Sequence, residues 1–188
     1  MGGFDAVVLA PVAGELPSDE LTAALSMAAP PVTVLLAQGW LRSLAPGEPV
    51  VPPHPDALSD ALWASVAAAD AIVCSVDDLH PLAGPAGEPA GQILWLRAQM
   101  GDGPVIVLTD GANGCVVSER GGGAVTAVAP PRAIGDLPEA AFVGAGDAFG
   151  TFLALQLAAG ASGLDAAAGA TAQVVHWLER RSAGTSVD

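Results

Sequence analysis

Three short runs of apolar residues constrain the fold of this chain more than any other feature of its sequence. They lie at residues 32–37, 71–75 and 105–109. Each run is apolar at all but one position rather than at alternate positions, which is typical of strands in a parallel sheet whose two faces are covered by helices. Helix-like segments separate the runs, and such strand–helix alternation indicates an α/β fold. The sequence therefore predicts a three-layer α/β sandwich with a mostly parallel central sheet.

The rest of the chain predicts further elements of the same domain. At 188 residues, with no internal repeat and no internal linker, the sequence suits one domain with a full core. Turn residues such as glycine and proline separate the predicted elements. Strands are expected at residues 4–10, 114–118 and 124–128, helices at 18–28, 58–68, 77–82, 93–100, 146–159 and 162–180, and loops at 43–56 and 84–91.

Composition argues against several functional classes. The chain has 20 acidic residues against six arginines and no lysine, for a net charge of −14, so no basic patch for a nucleic acid is expected. The longest apolar stretch, residues 140–161, contains Asp147 and several glycines, which argues against a membrane span. Cys74 and Cys115 lie in strand patterns without metal-ligand spacing and are predicted to be reduced core residues. Without a recognisable leader, this indicates a cytoplasmic protein.

The segment FVGAGDAF, residues 142–149, carries the strongest chemical signal. Gly144 and Gly146 lack Cβ atoms, so several backbone N–H groups can converge where a helix begins, and the helix dipole there favours an anion. A carboxylate at this place, Asp147, would repel a phosphate but could take a proton from a hydroxyl that attacks it. The pattern indicates phosphoryl transfer. The alternative is an ordinary glycine turn followed by an aspartate that complements the helix dipole.

Four segments resemble the PfkB/ribokinase family of carbohydrate and nucleoside kinases. Residues 143–149 are similar to its C-terminal signature, and residues 105–117, VIVLTDGANGCVV, to its strand–Thr-x-Gly-x-x-Gly–strand segment. Residues 69–79 resemble the strand that leads to its Asn-x-x-Glu element, here in a Ser-x-x-Asp form. QGWLR, residues 38–42, is similar to a segment of bacterial members. The four occur in the family's order, and they imply a ribokinase-like fold.

The resemblance implies a role for each matching residue. Asp147 would be the catalytic base, and the backbone of Gly144, Ala145 and Gly146 would stabilise charge on the transferring phosphoryl group. Thr109, Gly111 and Gly114 would lie on the nucleotide side, although Asn113-Gly114 is also a strong signal for a simple β-turn.

Metal binding is the third implied role. Asp78, with Ser75, would hold Mg²⁺ through water, because Mg²⁺ keeps several waters and takes few carboxylates in proteins. Asp77 competes with Asp78 for this role, and either could instead be a helix-start acid.

The resemblance covers only the C-terminal two-thirds of the family. The missing N-terminal part would supply the first strands, a small β lid over the sugar and most sugar contacts, while Ala141 and Phe142 replace the family's acidic and Thr residues. We expect an ATP- and Mg²⁺-dependent kinase for a sugar or related alcohol, forming a homodimer through an open sheet edge. The alternatives are a non-catalytic nucleotide-binding or interaction protein, and a piece of a longer kinase.

Overall fold

A six-stranded mixed sheet forms the centre of the protein. The computed structural model describes residues 4–12, 20, 23, 31–42, 47, 63, 66–79, 87–134 and 137–184. The six strands lie side by side in chain order. The first four are parallel, the fifth is antiparallel to the fourth, and the sixth is antiparallel to the fifth. The strands are β1 (Val7–Leu9), β2 (Thr33–Leu36), β3 (Ala71–Ser75), β4 (Val105–Thr109), β5 (Cys115–Ser118) and β6 (Val125–Val128).

Helices cover both faces of the sheet. They are α1 (Val76–Leu79), α2 (Pro89–Met100), α3 (Ala145–Ala158) and α4 (Gly163–Gly184), with 3₁₀ turns at Ala37–Gly39, Gly111–Asn113 and Glu139–Phe142. On one face, Leu35, Ile72 and Ile106 pack with Ile93 and Leu96 of α2. The neighbouring strand residues point to the other face, where Val34, Val73 and Val107 pack with Leu153 of α3 and Ala167 of α4. All of β2 and the first four residues of β3 and β4 are therefore buried, on one face or the other, and the predicted α/β sandwich is confirmed.

The strands at residues 71–75 and 105–109 have the predicted bounds, whereas the others are shorter at one or both ends. Two predicted helix bounds differ from the structure by more than one residue. Helix α2 begins at Pro89, so the loop predicted at 84–91 is wrong over its last three residues. Proline fits the first helical position because the N–H that it lacks would have no partner in the helix there. Helix α4 continues to Gly184 rather than ending at residue 180.

Some predictions fall largely outside the described residues. These are the helix at 18–28, the loop at 43–56, the helix at 58–68 and the end of the helix at 77–82. Within them, Glu20, Ala23, Trp63, Val66 and Ala67 are helical, whereas Gly47 and Ala68 are turn residues.

One helical stretch, Ala140–Ala158, is apolar and long enough to cross a membrane, but a core helix passes the same test. Its buried residues Phe149, Leu153 and Ala154 pack on the sheet. By itself this stretch is weak support for a membrane span.

A contact at the amino edge of the sheet fixes the start of α4. The Glu119 carboxylate accepts hydrogen bonds from the backbone N–H groups of Gly163 (3.2 Å) and Leu164 (2.7 Å). These N–H groups lie in the first turn of α4, where no intrahelical acceptor exists for them. The loop after β5 therefore positions α4, which forms one wall of the cavity described next.

Candidate active site

A cavity of about 310 Å³ lies at the carboxyl ends of the parallel strands. In an α/β sheet this edge is where loops from neighbouring strands converge and where ligands usually bind. The turn before α3 and one face of α4 close the cavity from the other side. Most of its polar lining comes from the strand ends and the segments that follow them, at Gln38, Arg42, Ser75, Asp77, Asp78 and Thr109, and Thr171 of α4 is also a polar lining residue.

The turn before α3 is held in a conformation that favours glycine. Gly144 has φ +83° and ψ +3°, in the left-handed region, and its carbonyl accepts the first helical hydrogen bond, from Ala148 N at 3.0 Å. From α4, Arg181 donates a 2.7 Å hydrogen bond to the Val143 carbonyl, and its guanidinium stacks 4.6 Å above the Trp177 ring. A long-range contact thus fixes the backbone at the start of α3.

The predicted residues of this turn do not all face the cavity. Ala145 and Gly146 line it, whereas the Asp147 side chain is exposed and lies in the first turn of α3. Within the described part of the chain, the Asp147 carboxylate accepts no hydrogen bond. The Thr151 hydroxyl instead donates to the Asp147 backbone carbonyl at 2.8 Å. Neither Gly144 nor Asp147 is among the residues that line the cavity.

The loop between β4 and β5 brings Thr109, Gly111 and Gly114 to the cavity together. The Thr109 hydroxyl donates to the Cys74 carbonyl at 3.2 Å and so ties the ends of β4 and β3. Gly114 has φ +95°, and a Cβ there would lie 2.2 Å from the Val128 carbonyl oxygen. Only glycine fits this approach. The loop is therefore both a tight hairpin turn and part of the cavity wall.

Asn113 makes a different contact. Its side-chain amide donates to the Asp110 carboxylate at 3.1 Å, and neither side chain lines the cavity. The Asn113 side chain thus stabilises the turn, whereas the two glycines shape the cavity wall.

An ion pair joins the segment that follows β2 to helix α1, which directly follows β3. The Arg42 guanidinium donates to both oxygens of the Asp78 carboxylate, Nε to Oδ1 at 2.6 Å and Nη2 to Oδ2 at 3.1 Å. Asp78 is 8% exposed and Arg42 38% exposed. Ser75 Oγ accepts the backbone N–H of Asp77 at 3.2 Å, and the exposed Asp77 side chain also lines the cavity.

These residues fit Mg²⁺ only through water. Among the described residues there is no group of three or more His, Cys, Asp or Glu side chains that could hold a metal directly. Arg42 occupies one acceptor position on each Asp78 oxygen, but each carboxylate oxygen has a second lone pair. Mg²⁺ usually keeps several of its waters and uses few protein ligands. Asp78 and Asp77 are therefore suited to holding the waters of a hydrated ion.

Cys74 lies beneath these residues and also lines the cavity. Burial raises the pKa of the Cys74 thiol, and the negative charge of Asp78 raises this pKa further. The thiol stays protonated near neutral pH, and a protonated thiol is a poor nucleophile. Both cysteines are free and buried, which confirms the prediction that they are reduced core residues.

The sequence did not point to the apolar side of the cavity. Three residues of α4 that had the pattern of ordinary core positions line it, namely Val174, Val175 and Leu178. Arg42 was equally compatible with packing beside Trp40-Leu41. The sequence signal for Arg42 was its place at the end of the QGWLR segment, residues 38–42. His176, on the same helix α4, is 62% exposed, and its Nδ1 lies 3.8 Å from Glu179 Oε2.

The family model for pfkB family carbohydrate kinases matches residues 37–187, which include the whole cavity lining except Leu36. The chain belongs to the pfkB family. A comparison with curated protein sequences gives no match.

The fold of this pfkB chain is shared with solved ribokinase-family kinases. A pyrophosphate-dependent kinase in the ribokinase family, solved with sulfate, has a TM-score of 0.70 at 20% identity over 92% of this chain and 56% of its own. The putative ribokinase from Agrobacterium tumefaciens has a TM-score of 0.64 at 24% identity over 92% of this chain and 48% of its own. Arabidopsis thaliana ribokinase, complexed with ribose and ATP, has a TM-score of 0.60 at 20% identity over 91% of this chain and 48% of its own. The chain thus spans about half the length of these proteins, and the likeness confirms the ribokinase-like fold.

Proposed function

We propose that this pfkB-family chain is an ATP-dependent phosphotransferase that moves the γ-phosphate of ATP to a hydroxyl of a carbohydrate or related alcohol. One observation carries the proposal. Ala145 and Gly146 of the glycine turn line the same cavity as Thr109, Gly111 and Gly114 of the loop after β4. Two motifs separated by about thirty residues in the sequence therefore meet at one site.

The glycine turn would stabilise the phosphoryl group during transfer. The N–H groups of the first turn of a helix have no intrahelical acceptor, and the dipole places partial positive charge at the same end. Fixed donors of this kind stabilise charge that develops on phosphoryl oxygens. The hydrogen bond from Arg181 to the Val143 carbonyl supports this role. It keeps the turn in place and uses a carbonyl group, so the N–H groups of the turn stay available.

Asp147 would act as the base. The acceptor hydroxyl gives its proton to the Asp147 carboxylate as its oxygen bonds to the γ-phosphorus, while the bond from that phosphorus to the bridging oxygen breaks and ADP leaves. The absence of a hydrogen-bond partner for this carboxylate in the described part of the chain supports the assignment.

The remaining residues would hold the donor. Thr109, Gly111 and Gly114 would lie beside the phosphates, where glycine lets the backbone approach closely. Mg²⁺ would neutralise charge on the donor's phosphates, with Asp78, Ser75 and Asp77 around its waters. The apolar face of α4, with Val174, Val175 and Leu178, is suited to the base of the nucleotide. The acceptor is proposed only as a class, a sugar or a sugar-like small molecule.

A screen for phosphoryl transfer tests the proposal. The chain is incubated with radiolabelled ATP, Mg²⁺ and a panel of hexoses, pentoses and nucleosides. Asp147→Asn should lower turnover of any accepted compound by about 10²–10⁴-fold, the usual contribution of a positioned base. Its affinity for ATP should persist, because the change removes a negative charge and no donor.

Asp165→Asn is the matched control. Asp165 also lies in the first turn of a helix, α4, and does not line the cavity. It should leave turnover unchanged. Equal turnover by the unmodified protein and Asp147→Asn would remove Asp147 from the mechanism. Binding of ATP without turnover of any compound would favour a non-catalytic nucleotide-binding protein.

A further inference from the structure

Arg42 is the one basic side chain among the described residues that line the cavity. The other charged lining residues are Asp77 and Asp78. Without Arg42 this wall would carry two carboxylates, which would repel any phosphate placed there. The guanidinium has five N–H donors in a planar fork. Nε and Nη2 bond to Asp78, and no described group accepts a hydrogen bond from Nη1.

We propose that Arg42 binds a terminal phosphate of the phosphoryl donor through the N–H groups that it does not share with Asp78. This rests on the proposed phosphoryl transfer for the class of ligand. The chemistry recognised is a terminal phosphate of a phosphoanhydride, which both a nucleoside triphosphate and inorganic pyrophosphate carry. Arginine suits this contact because its planar fork matches the oxygens of a phosphate.

Asp78 acts as the positioning residue for Arg42. A free arginine loses rotamer freedom when it binds a ligand, and this loss weakens binding. The buried Asp78 carboxylate already holds Arg42 through two hydrogen bonds, so much of that freedom is lost before the ligand arrives. The pair is close to neutral overall, so attraction for the phosphate comes from the nearby N–H donors rather than from net charge.

The other arginines with assigned contacts are engaged elsewhere. Arg97 donates to the backbone carbonyls of Gly101, Pro104, Ser118 and Glu119, near the amino edge of the sheet. Arg120 pairs with Asp70, Arg132 with Glu179, and Arg181 with the Val143 carbonyl. In a chain with a net charge of −14, Arg42 is the cation that lies with the strand-end loops at the cavity.

Calorimetric binding to the full chain tests the proposal. ATP, pyrophosphate and adenosine are titrated separately, with EDTA and without any acceptor, so that neither Mg²⁺ nor turnover contributes. Arg42→Met should weaken binding of ATP, pyrophosphate or both by about 10- to 100-fold, the range expected for charge-assisted hydrogen bonds. The affinity for adenosine, which has no phosphate, should stay within about twofold. A loss for both anions indicates a phosphate contact common to them, and a loss for one alone identifies the donor.

Arg42→Met leaves the Asp78 carboxylate buried and unpaired, and the variant could misfold for that reason. A second variant removes this risk. Arg42→Met/Asp78→Asn leaves the net charge unchanged and removes a carboxylate that repels anions. A loss of phosphate affinity in this variant therefore reports the missing arginine donors. Arg120→Met, which breaks an arginine–aspartate pair outside the cavity, should bind all three ligands as the unmodified protein does.

Phosphate affinities within about twofold of the unmodified protein in the double variant would overturn the proposal. So would failure of the unmodified protein to bind either anion. The proposed activity is judged separately by the turnover screen. Arg42-dependent binding without turnover by the unmodified protein would support the phosphate contact and contradict the proposed activity. Turnover by the unmodified protein, with unchanged phosphate affinity in the double variant, would support the activity and contradict the phosphate contact.

Discussion

Arg181 and Val143 lie 38 residues apart, and a 2.7 Å hydrogen bond from the Arg181 guanidinium to the Val143 carbonyl joins them. Val143 immediately precedes Gly144, whose left-handed conformation starts α3. The same guanidinium stacks on Trp177, so the turn is attached to a fixed side chain of α4. The geometry of the proposed anion site therefore depends on a residue that touches neither the donor nor the acceptor.

Arg181→Gln tests this dependence. The variant should keep the fold, because Arg181 is exposed and a stacking contact of this kind contributes about 1 kcal/mol or less. Turnover should fall by about tenfold, since a small misplacement of reacting groups costs up to about 10²-fold in rate. Arg180→Gln changes an exposed neighbour on the same helix and should leave the rate unchanged. Equal rates for both variants would show that the turn holds its geometry without Arg181.

Gly144→Ala should lower both stability and turnover. The Cβ would meet nothing closer than 3.9 Å, so the cost comes from the left-handed backbone, about 1–2 kcal/mol for a residue with a Cβ. Gly160→Ala is the matched control, because Gly160 has φ +88° and open space around it at the other end of α3. Chemical denaturation should show similar losses of stability for the two variants. A fall in turnover is expected for Gly144→Ala alone, and an equal fall in both would argue against a special role for the turn.

The buried Cys74 thiol predicts how stability depends on pH. Its pKa in the folded protein is raised above the ordinary value of 9.0, mainly by burial. The unfolded chain therefore releases this proton at a lower pH than the folded protein does. The protonated thiol therefore makes no pH-dependent difference to stability below pH 9. Above pH 9 the free energy of unfolding falls as the pH rises, by up to about 1.4 kcal/mol per pH unit for one thiol.

Urea denaturation at several pH values between 8 and 10.5 measures this slope. Cys74→Ala should reduce the slope above pH 9, whatever its effect on stability at neutral pH. Cys115→Ala gives a second comparison, since burial also raises the pKa of Cys115 while its contact with Thr171 opposes the shift. An unchanged slope in Cys74→Ala would mean that this thiol ionises in the folded protein.

The open edge at β1 predicts self-association. Among the described residues, β1 pairs with β2 on one side and with no strand on the other, and the neighbouring Phe4 is 76% exposed. Unpaired edge strands tend to recruit partners. Sedimentation at micromolar concentration should give a mass of about twice 18.5 kDa. Phe4→Glu should shift the mass towards the monomer, with Leu94→Glu, at an exposed apolar residue of α2, as control. A monomer mass for the unmodified chain would contradict the prediction.

The sequence by itself determined the elements that depend on local chemistry. The runs at residues 71–75 and 105–109 could be read as buried strands because an uninterrupted series of apolar residues has to be covered on both faces. Gly144 could be placed before a helix because an apolar helical pattern begins there and glycine tolerates the conformation of the turn. The grouping of Thr109, Gly111 and Gly114 followed from one short loop. These features depend on neighbouring residues, so sequence was sufficient.

Only the tertiary structure decided how distant residues meet. It paired Arg42 with Asp78 across 36 residues, placed Glu119 at the start of α4 and turned Val174 and Val175 towards a cavity rather than a closed core. It also placed β5 antiparallel to the first four strands and β6 antiparallel to β5, and left the Asp147 side chain exposed beside the cavity. Such contacts depend on the order of strands and on the relative positions of packed helices. Those positions are set by the whole core, and no short stretch of sequence contains them.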